Sequence, residues 1–295
     1  SKYYGPKPSI EKMRIFTFPN EKSLIQQKDS LHAVGKLNLA SEMTKLVAND
    51  PRFTPYTYTL NQFTALHFNI NNSFLNEQKF RKAIALALNK QTLIKDGEKR
   101  VDALDLQDHS NEVKFKTDIE TAKKLLSEIK FPPDPEKTFV LLTMSKMPQD
   151  MLDGIRSQLQ EIGIKIEIKK LELQEFYKYV SERNYDMLLI RHNLGYNRDI
   201  YPILHSSQMG SNGLNFSNFK SFKTDGLTEA IRKEKNPPDK EKLLIQLNSV
   251  IEEEIPFLFI STPIYLYALD KNISPSKFIN LDFHSDRFSI IPYLK

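Results

Sequence analysis

Cysteine is absent, which excludes a disulfide framework, a thiolate-held zinc or iron–sulfur site, and a cysteine nucleophile. An oxidising compartment is therefore tolerated, though not required. Tryptophan is also absent, and glycine occurs nine times in 295 residues. Phosphate-cradling loops, which rely on glycine-rich backbone, are not expected from so few. No apolar run approaches the ~18–20 residues that a membrane-crossing helix needs. The sequence also lacks a Gly-x-Ser-x-Gly elbow, a phosphate loop and a dinucleotide glycine fingerprint. None of the six histidines, His32, His67, His109, His192, His205 and His284, stands with a Glu in a helix-borne zinc motif. His192 and His205 lie in a polar stretch and read as solvated. A dispersed Ser/His/Asp triad is defined by geometry rather than spacing, so a hydrolase on an α/β scaffold stays as an alternative with no motif behind it.

Charge excludes little more. Lys and Arg number 42 against 37 Asp and Glu, for a net charge of +5 and a pI near 9.0. The excess is spread out. The densest basic stretch, Lys165–Lys170, alternates with isoleucine as a strand does and forms no patch. A solvated surface, and no nucleic-acid partner, is the expectation.

What is present describes a folded chain. Hydrophobic residues make up 40% and charged residues 27%, outside the disordered range. The length fits about two domains at ~150 residues each. Ser1–Pro8 (SKYYGPKP) reads as a turn before a strand over Met13–Phe18. Glu21–Val34 has helical spacing, Leu37–Ala40 is a short strand, and Glu42–Ala48 a short helix. Thr57–Ile70 reads as strands around Asn61-Gln62, and Glu77–Ile94 as one amphipathic helix. Thr117–Glu120 has the form of a capping box, and Phe131–Pro135 is a rigid break. Thr138–Met144, Asp150–Ile162 and Ile164–Ile168 form a strand–helix–strand unit, with Gly163 at the left-handed cap. A helix over Gln174–Glu182, a strand over Tyr185–Ile190 and a loop over Arg191–Phe222 follow. Asp239–Glu254 is helical, Phe257–Tyr267 strand-like, and Phe278–Leu294 short strands and turns. Alternating strands and helices give a mixed α/β class. Tyr56, Tyr58, Tyr265 and Tyr267 either pack a core or line a ligand cleft.

A longer pattern runs through these elements. Leu66–Lys90 reads LHFNINNSFLNEQKFRKAIALALNK. Gly35–Ala40, Ala122–Phe131, Gln158–Ile168 (QLQEIGIKIEI), Tyr185-Asp186-Met187, Ser206–Phe219 and Ile255-Pro256 follow it in order. Together with Tyr3–Pro8, they resemble the extracytoplasmic solute-binding proteins of peptide and nickel ABC importers, family 5. Each match is weak and their ordered sum is strong.

The resemblance implies a two-lobed fold of the periplasmic-binding-protein type II kind, with mixed sheets, flanking helices and an incomplete first lobe. Residues 1–70, with 275–295 returning, would belong to lobe I, and 71–274 would form lobe II. It implies a receptor that closes on a peptide or similar small solute in an interlobe cleft, with no covalent step and no cofactor. The implied partners are the membrane permease subunits of an ABC transporter. The implied state is a monomer, periplasmic or extracellular, with a lipid tether compatible with a missing amino-terminal part.

The ligand segment implied by position is Arg191, His192, Asn193, Leu194, Gly195 and Tyr196, facing Asn61, Gln62, Phe63 and Thr64. The family places an amine-binding aspartate where Gly195 stands and a tryptophan where His192 stands. Asp199 is the nearest carboxylate that could substitute. An interaction or adhesion module on the same fold is the second alternative.

Overall fold

The computed structural model describes residues 12–104, 114–129, 137–195 and 197–273. The strands are β1 (Ala33–Asn38), β2 (Phe53–Thr59), β3 (Gln62–Phe68), β4 (Glu98–Arg100), β5 (Thr138–Met144), β6 (Lys165–Leu171), β7 (Met187–Asn193) and β8 (Phe257–Asp270). The helices begin with α1 (Glu21–Gln27), α2 (Glu42–Ala48), α3 (Ser73–Asn76), α4 (Gln78–Ala87), α5 (Lys90–Leu93) and α6 (Ile119–Ser127). They continue with α7 (Gln149–Glu161), α8 (Leu173–Ser181), α9 (Tyr201–Leu204), α10 (Phe222–Lys233) and α11 (Pro237–Glu254). The chain forms two compact units. One comprises Ser1–Gln62, Lys95–Lys99 and Thr262–Lys295, the other Phe63–Ile94 and Arg100–Ser261.

The larger unit is built on a mixed sheet in the order β8, β3, β7, β5, β6. β5 runs parallel to both β6 and β7, and β3 runs antiparallel to β8. The period-two alternation of strands sorts the side chains. Leu66, Phe68, Phe139, Leu141, Ile166, Met187, Leu189, Leu258 and Ile260 pack on one face with α4 and α7. On the other, Leu142, Leu171 and Leu188 meet Phe176 and Val180 of α8, while Phe63, Ala65, Phe257 and Phe259 meet Leu247 and Ile251 of α11. Coverage of both faces explains the nearly continuous apolar runs of β5 and β8.

Arg81 of α4 is 3% exposed and donates to the carbonyls of Leu75 (2.8 Å), Asn76 (2.9 Å), Ile255 (2.9 Å) and Glu254. It joins the end of α3 to the end of α11, where Ile255 takes a left-handed φ of 49°. A branched residue there is strained, and the bond from Arg81 helps to hold it.

In the smaller unit, β1 and β2 both pair antiparallel with the second half of β8. Val34, Leu37, Val47, Phe53 and Leu266 form its core with Ile25. Gly97 has φ +88°, and a Cβ there would lie 2.1 Å from the amide nitrogen of Ala40. Only glycine fits.

Several expected elements differ. Met13–Phe18 forms no strand. The helix expected to Val34 ends at Gln27, and β1 starts at Ala33, because Val34 and Leu37 are buried against Leu266 and its neighbours in the sheet. The helix expected over Glu77–Ile94 is α4 and α5, separated at Leu88-Asn89, where the Asn89 side chain accepts the Gln91 N–H and starts a new turn. Asp118, rather than Thr117, caps α6, accepting the Thr121 N–H. β7 runs on to Asn193, into the stretch expected to be loop. Tyr3–Pro8, Phe131–Pro135 and Phe278–Leu294 lie outside the described residues.

Candidate functional site

β7 carries the implied ligand segment to the end of the sheet. Alternation sends Arg191 and His192 to opposite faces. Arg191 is exposed, and its Nε donates to Thr64 Oγ1 at 3.2 Å. His192 is 6% exposed. After β7 the chain turns: the Asn193 Oδ1 accepts the Gly195 N–H at 3.0 Å, and Gly195 has φ +64°. That turn is an Asx turn with glycine in the left-handed region.

The implied residues fall into different environments. Asn193 is exposed and Gly195 half-buried. Phe63, Thr64 and Leu194 are buried, and Phe63 and Leu194 belong to one apolar cluster with Ile200 and Ile203. Asn61 and Gln62 belong to the smaller unit, where Asn61 is 4% exposed and Gln62 Oε1 accepts from the Tyr265 hydroxyl at 3.2 Å. Tyr196 lies outside the described residues. Both oxygens of Asp199 are engaged by Arg232, with Nε at 3.1 and 3.0 Å and Nη2 at 2.5 Å. Asp199 Oδ1 also accepts the Tyr201 N–H, and the Arg232 guanidinium lies 3.8 Å over the Tyr201 ring. This carboxylate is well supplied with partners inside its own unit.

His192 leads to a group that sequence reasoning did not single out. Its Nε2 lies 2.7 Å from Nε2 of His67, on β3. His67 Nδ1 lies 3.0 Å from the Ser217 hydroxyl, which donates to the Pro256 carbonyl at 2.7 Å. The donor accounting assigns the protons. Ser217 spends its hydrogen on Pro256, so His67 Nδ1–H donates to Ser217. His67 Nε2 is then the acceptor, and His192 Nε2–H donates to it. Phe63, Phe216 and Phe257 surround the two rings. Burial pushes the His67 pKa well below its usual value, with His192 and Arg183 adding to the effect. Burial lowers that of His192 to about 3. Both rings are neutral at ordinary pH. A signal for His67 was present: a lone histidine in an apolar strand run such as Ala65–Phe68 must find a polar partner if buried.

The other histidine of the polar stretch, His205, accepts the Ser207 N–H on Nδ1 at 3.1 Å and so caps a short helical turn. Its Nε2 lies 3.5 Å from Glu229. Among the described residues no group of three or more His, Cys, Asp or Glu could hold a metal ion. No helix among them is long and apolar enough to cross a membrane.

Comparison with known proteins shows which solved structures share the fold. The oligopeptide-binding protein AppA of Bacillus subtilis, solved with a nonapeptide, is 20% identical with a TM-score of 0.69, over 94% of this chain and 58% of that one. The binding protein DppA of Helicobacter pylori, solved with the peptide STSA, is 17% identical at 0.72, over 99% and 58%. NikZ of Campylobacter jejuni, solved with Ni(L-His), is 19% identical at 0.67, over 92% and 59%. The chain thus spans a little under three fifths of these structures. No curated protein matches the sequence. The model of the bacterial extracellular solute-binding proteins, family 5 Middle, matches residues 1–212, and the chain belongs to that family.

Proposed function

We propose that the chain is the binding part of an ABC importer's solute receptor, taking a peptide or similar small solute by lobe closure without covalent chemistry. The observation that carries this reading is the fit of 94–99% of the chain onto two binding proteins solved with peptides, joined to a family match over residues 1–212. Closure would follow from tighter binding of the solute to the closed form. Permease subunits would recognise that form outside the cytoplasm. We place the ligand along the exposed side chains of Arg191 and Asn193 and the backbone of the turn at Gly195. Asp199 is left out, because Arg232 holds both its oxygens.

Native mass spectrometry of the protein with a mixture of random pentapeptides tests this reading. Bound peptide mass should be lost on denaturation, and Arg191→Ala together with Asn193→Ala should weaken retention about tenfold, the equivalent of about 1.4 kcal/mol. Unchanged retention in the double variant would remove the segment from the site. No retention by the unaltered protein would remove the peptide class. An interaction module is the second reading, supported by the exposed side chains of Met13, Ile15 and Phe16. Concentration-dependent self-association without peptide uptake would favour it.

A further inference from the structure

The ligand segment Arg191–Gly195 leaves the sheet at the end of β7, and its position depends on what holds that end. On one face the anchor is Arg191 to Thr64, at 3.2 Å. On the other it is a chain of three hydrogen bonds: His192 to His67 at 2.7 Å, His67 to Ser217 at 3.0 Å and Ser217 to Pro256 at 2.7 Å. This relay ties β7 to β3, to the loop before α10 and to the residue preceding β8. Its first member sits inside the segment itself.

We propose that His67 and His192 are positioning residues for the ligand segment, acting as a neutral imidazole pair that holds the end of β7 against β3. The proposal rests on reading Arg191–Gly195 as the ligand segment. Its chemistry is specific to one proton arrangement. His67 accepts on Nε2 only while its proton is on Nδ1, and Ser217 fixes it there. Protonation of His67 would set an N–H against the N–H of His192, and their bond would be lost. Protonation of His192 would leave that bond but place an uncompensated charge among phenyl rings.

The surroundings keep both rings neutral. Phe63, Phe216 and Phe257 face the pair. Arg183 is the charged side chain that bears on His67, and it raises the cost of a second positive charge. Arg191, next to His192 in sequence, belongs to the opposite face of the sheet. A leucine at position 192 would fill the space but remove the donor. A glutamine would place an amide donor near the position of Nε2.

The test needs no ligand for its first half. Nitrogen-15 spectra of the imidazoles should show the Nδ1–H form for His67 and the Nε2–H form for His192, unchanged from pH 8 to pH 5. Backbone amide shifts of residues 191–195 should move in His192→Leu and return close to their original values in His192→Gln. Titration of either ring near the ordinary histidine value of about 6.5, the opposite tautomers, or amide shifts indifferent to His192→Leu would each overturn the proposal. The titration and tautomer arms use the unaltered protein, so they hold even where the leucine variant does not fold.

The second half uses the pentapeptide mixture, with about tenfold weaker retention expected for His192→Leu and less than threefold for His192→Gln, from the usual value of one hydrogen bond. Equal retention by the leucine and glutamine variants would overturn the positioning role. Expected spectra with no peptide retained by the unaltered protein would support positioning and defeat the peptide reading alone.

Discussion

At the scale of single residues, the polar groups buried in the larger unit carry most of the information. Arg81 illustrates why. A guanidinium presents five N–H donors in a fixed plane, and here they serve four carbonyls with almost no exposure to water. Burial lowers its pKa, yet an arginine stays charged under any ordinary condition. Replacing it with methionine would leave those carbonyls without partners, at about 1–3 kcal/mol for a buried unsatisfied group. Arg81→Met should therefore destabilise by about 2–3 kcal/mol, the upper part of that range because several carbonyls lose their donor together, and Arg81→Lys by roughly half as much, since an ammonium has three donors and no fork. Urea unfolding with an unchanged slope checks this. A midpoint shift worth less than about 1 kcal/mol for methionine would refute it.

The same scale shows what the sequence could and could not reveal of the site. Arg191–Gly195 is a ligand segment only by its position in the family resemblance, and which of its side chains turn inward depends on register. His192 read as solvated because its neighbours are polar, whereas it is buried through a partner 125 residues away. Asp199 read as a possible anchor because it is the nearest carboxylate, and Arg232, 33 residues on, was invisible as its partner. Contacts of that range leave no local pattern. His67 did leave one, as a polar residue in a run buried on both faces.

At the scale of elements, strands with alternating faces were legible and helix ends were not. β5, β6 and α7 appear where periodicity put them, and Gly163 takes φ +81° as a left-handed cap should. The break between α4 and α5 is set by a single asparagine cap, which competes locally with continued helix. The stretch after β7, irregular in sequence, is ordered by side chains rather than by ladders. Arg183 donates to the carbonyls of Met209 (3.2 Å), Gly210 (3.0 Å) and Gly213 (3.0 Å). Buried Asn215 donates to those of Leu204, His205 and Phe219.

Such a loop should open locally once its hub is lost. Arg183→Ala is expected to speed hydrogen exchange of the Gly213 and Asn215 amides by about 10–100-fold, the equivalent of about 1.4–2.8 kcal/mol. Both amides bond within the loop, to the carbonyls of Gly210 and Gln208. Exchange in β5 should not change. Equal rates at Gly213 and Asn215 in the variant and the original would show that Asn215 alone holds the loop.

At the scale of the whole molecule, the buried imidazoles set the response to acid. In the unfolded chain both histidines titrate near 6.5, while in the folded protein burial keeps their pKa values far lower, to about 3 for His192. A base whose folded pKa is depressed binds its proton more readily when unfolded, so its neutral burial is favourable above the unfolded value and turns into a penalty as pH falls below it. Each ring then removes up to about 1.4 kcal/mol of stability per pH unit, so the pair removes up to about 2.7.

The carboxylates act in a different window. Asp50, Asp118, Glu128 and Glu229 are all held below their usual values by hydrogen-bond partners: Lys28, Thr121, Lys79 and Lys233. Their contribution is present above the unfolded carboxylate range and is lost only as pH falls through about 4 and below. Between pH 6.5 and 4.5 the histidine pair should therefore dominate. Unfolding free energy measured by urea at pH 7.5, 5.5 and 4.5 should be highest at 7.5 and fall most steeply between 5.5 and 4.5. In the double variant His67→Leu with His192→Leu, that fall should be largely absent, even though the variant loses the hydrogen bond at neutral pH. A slope that persists in the double variant would place the acid response elsewhere in the chain.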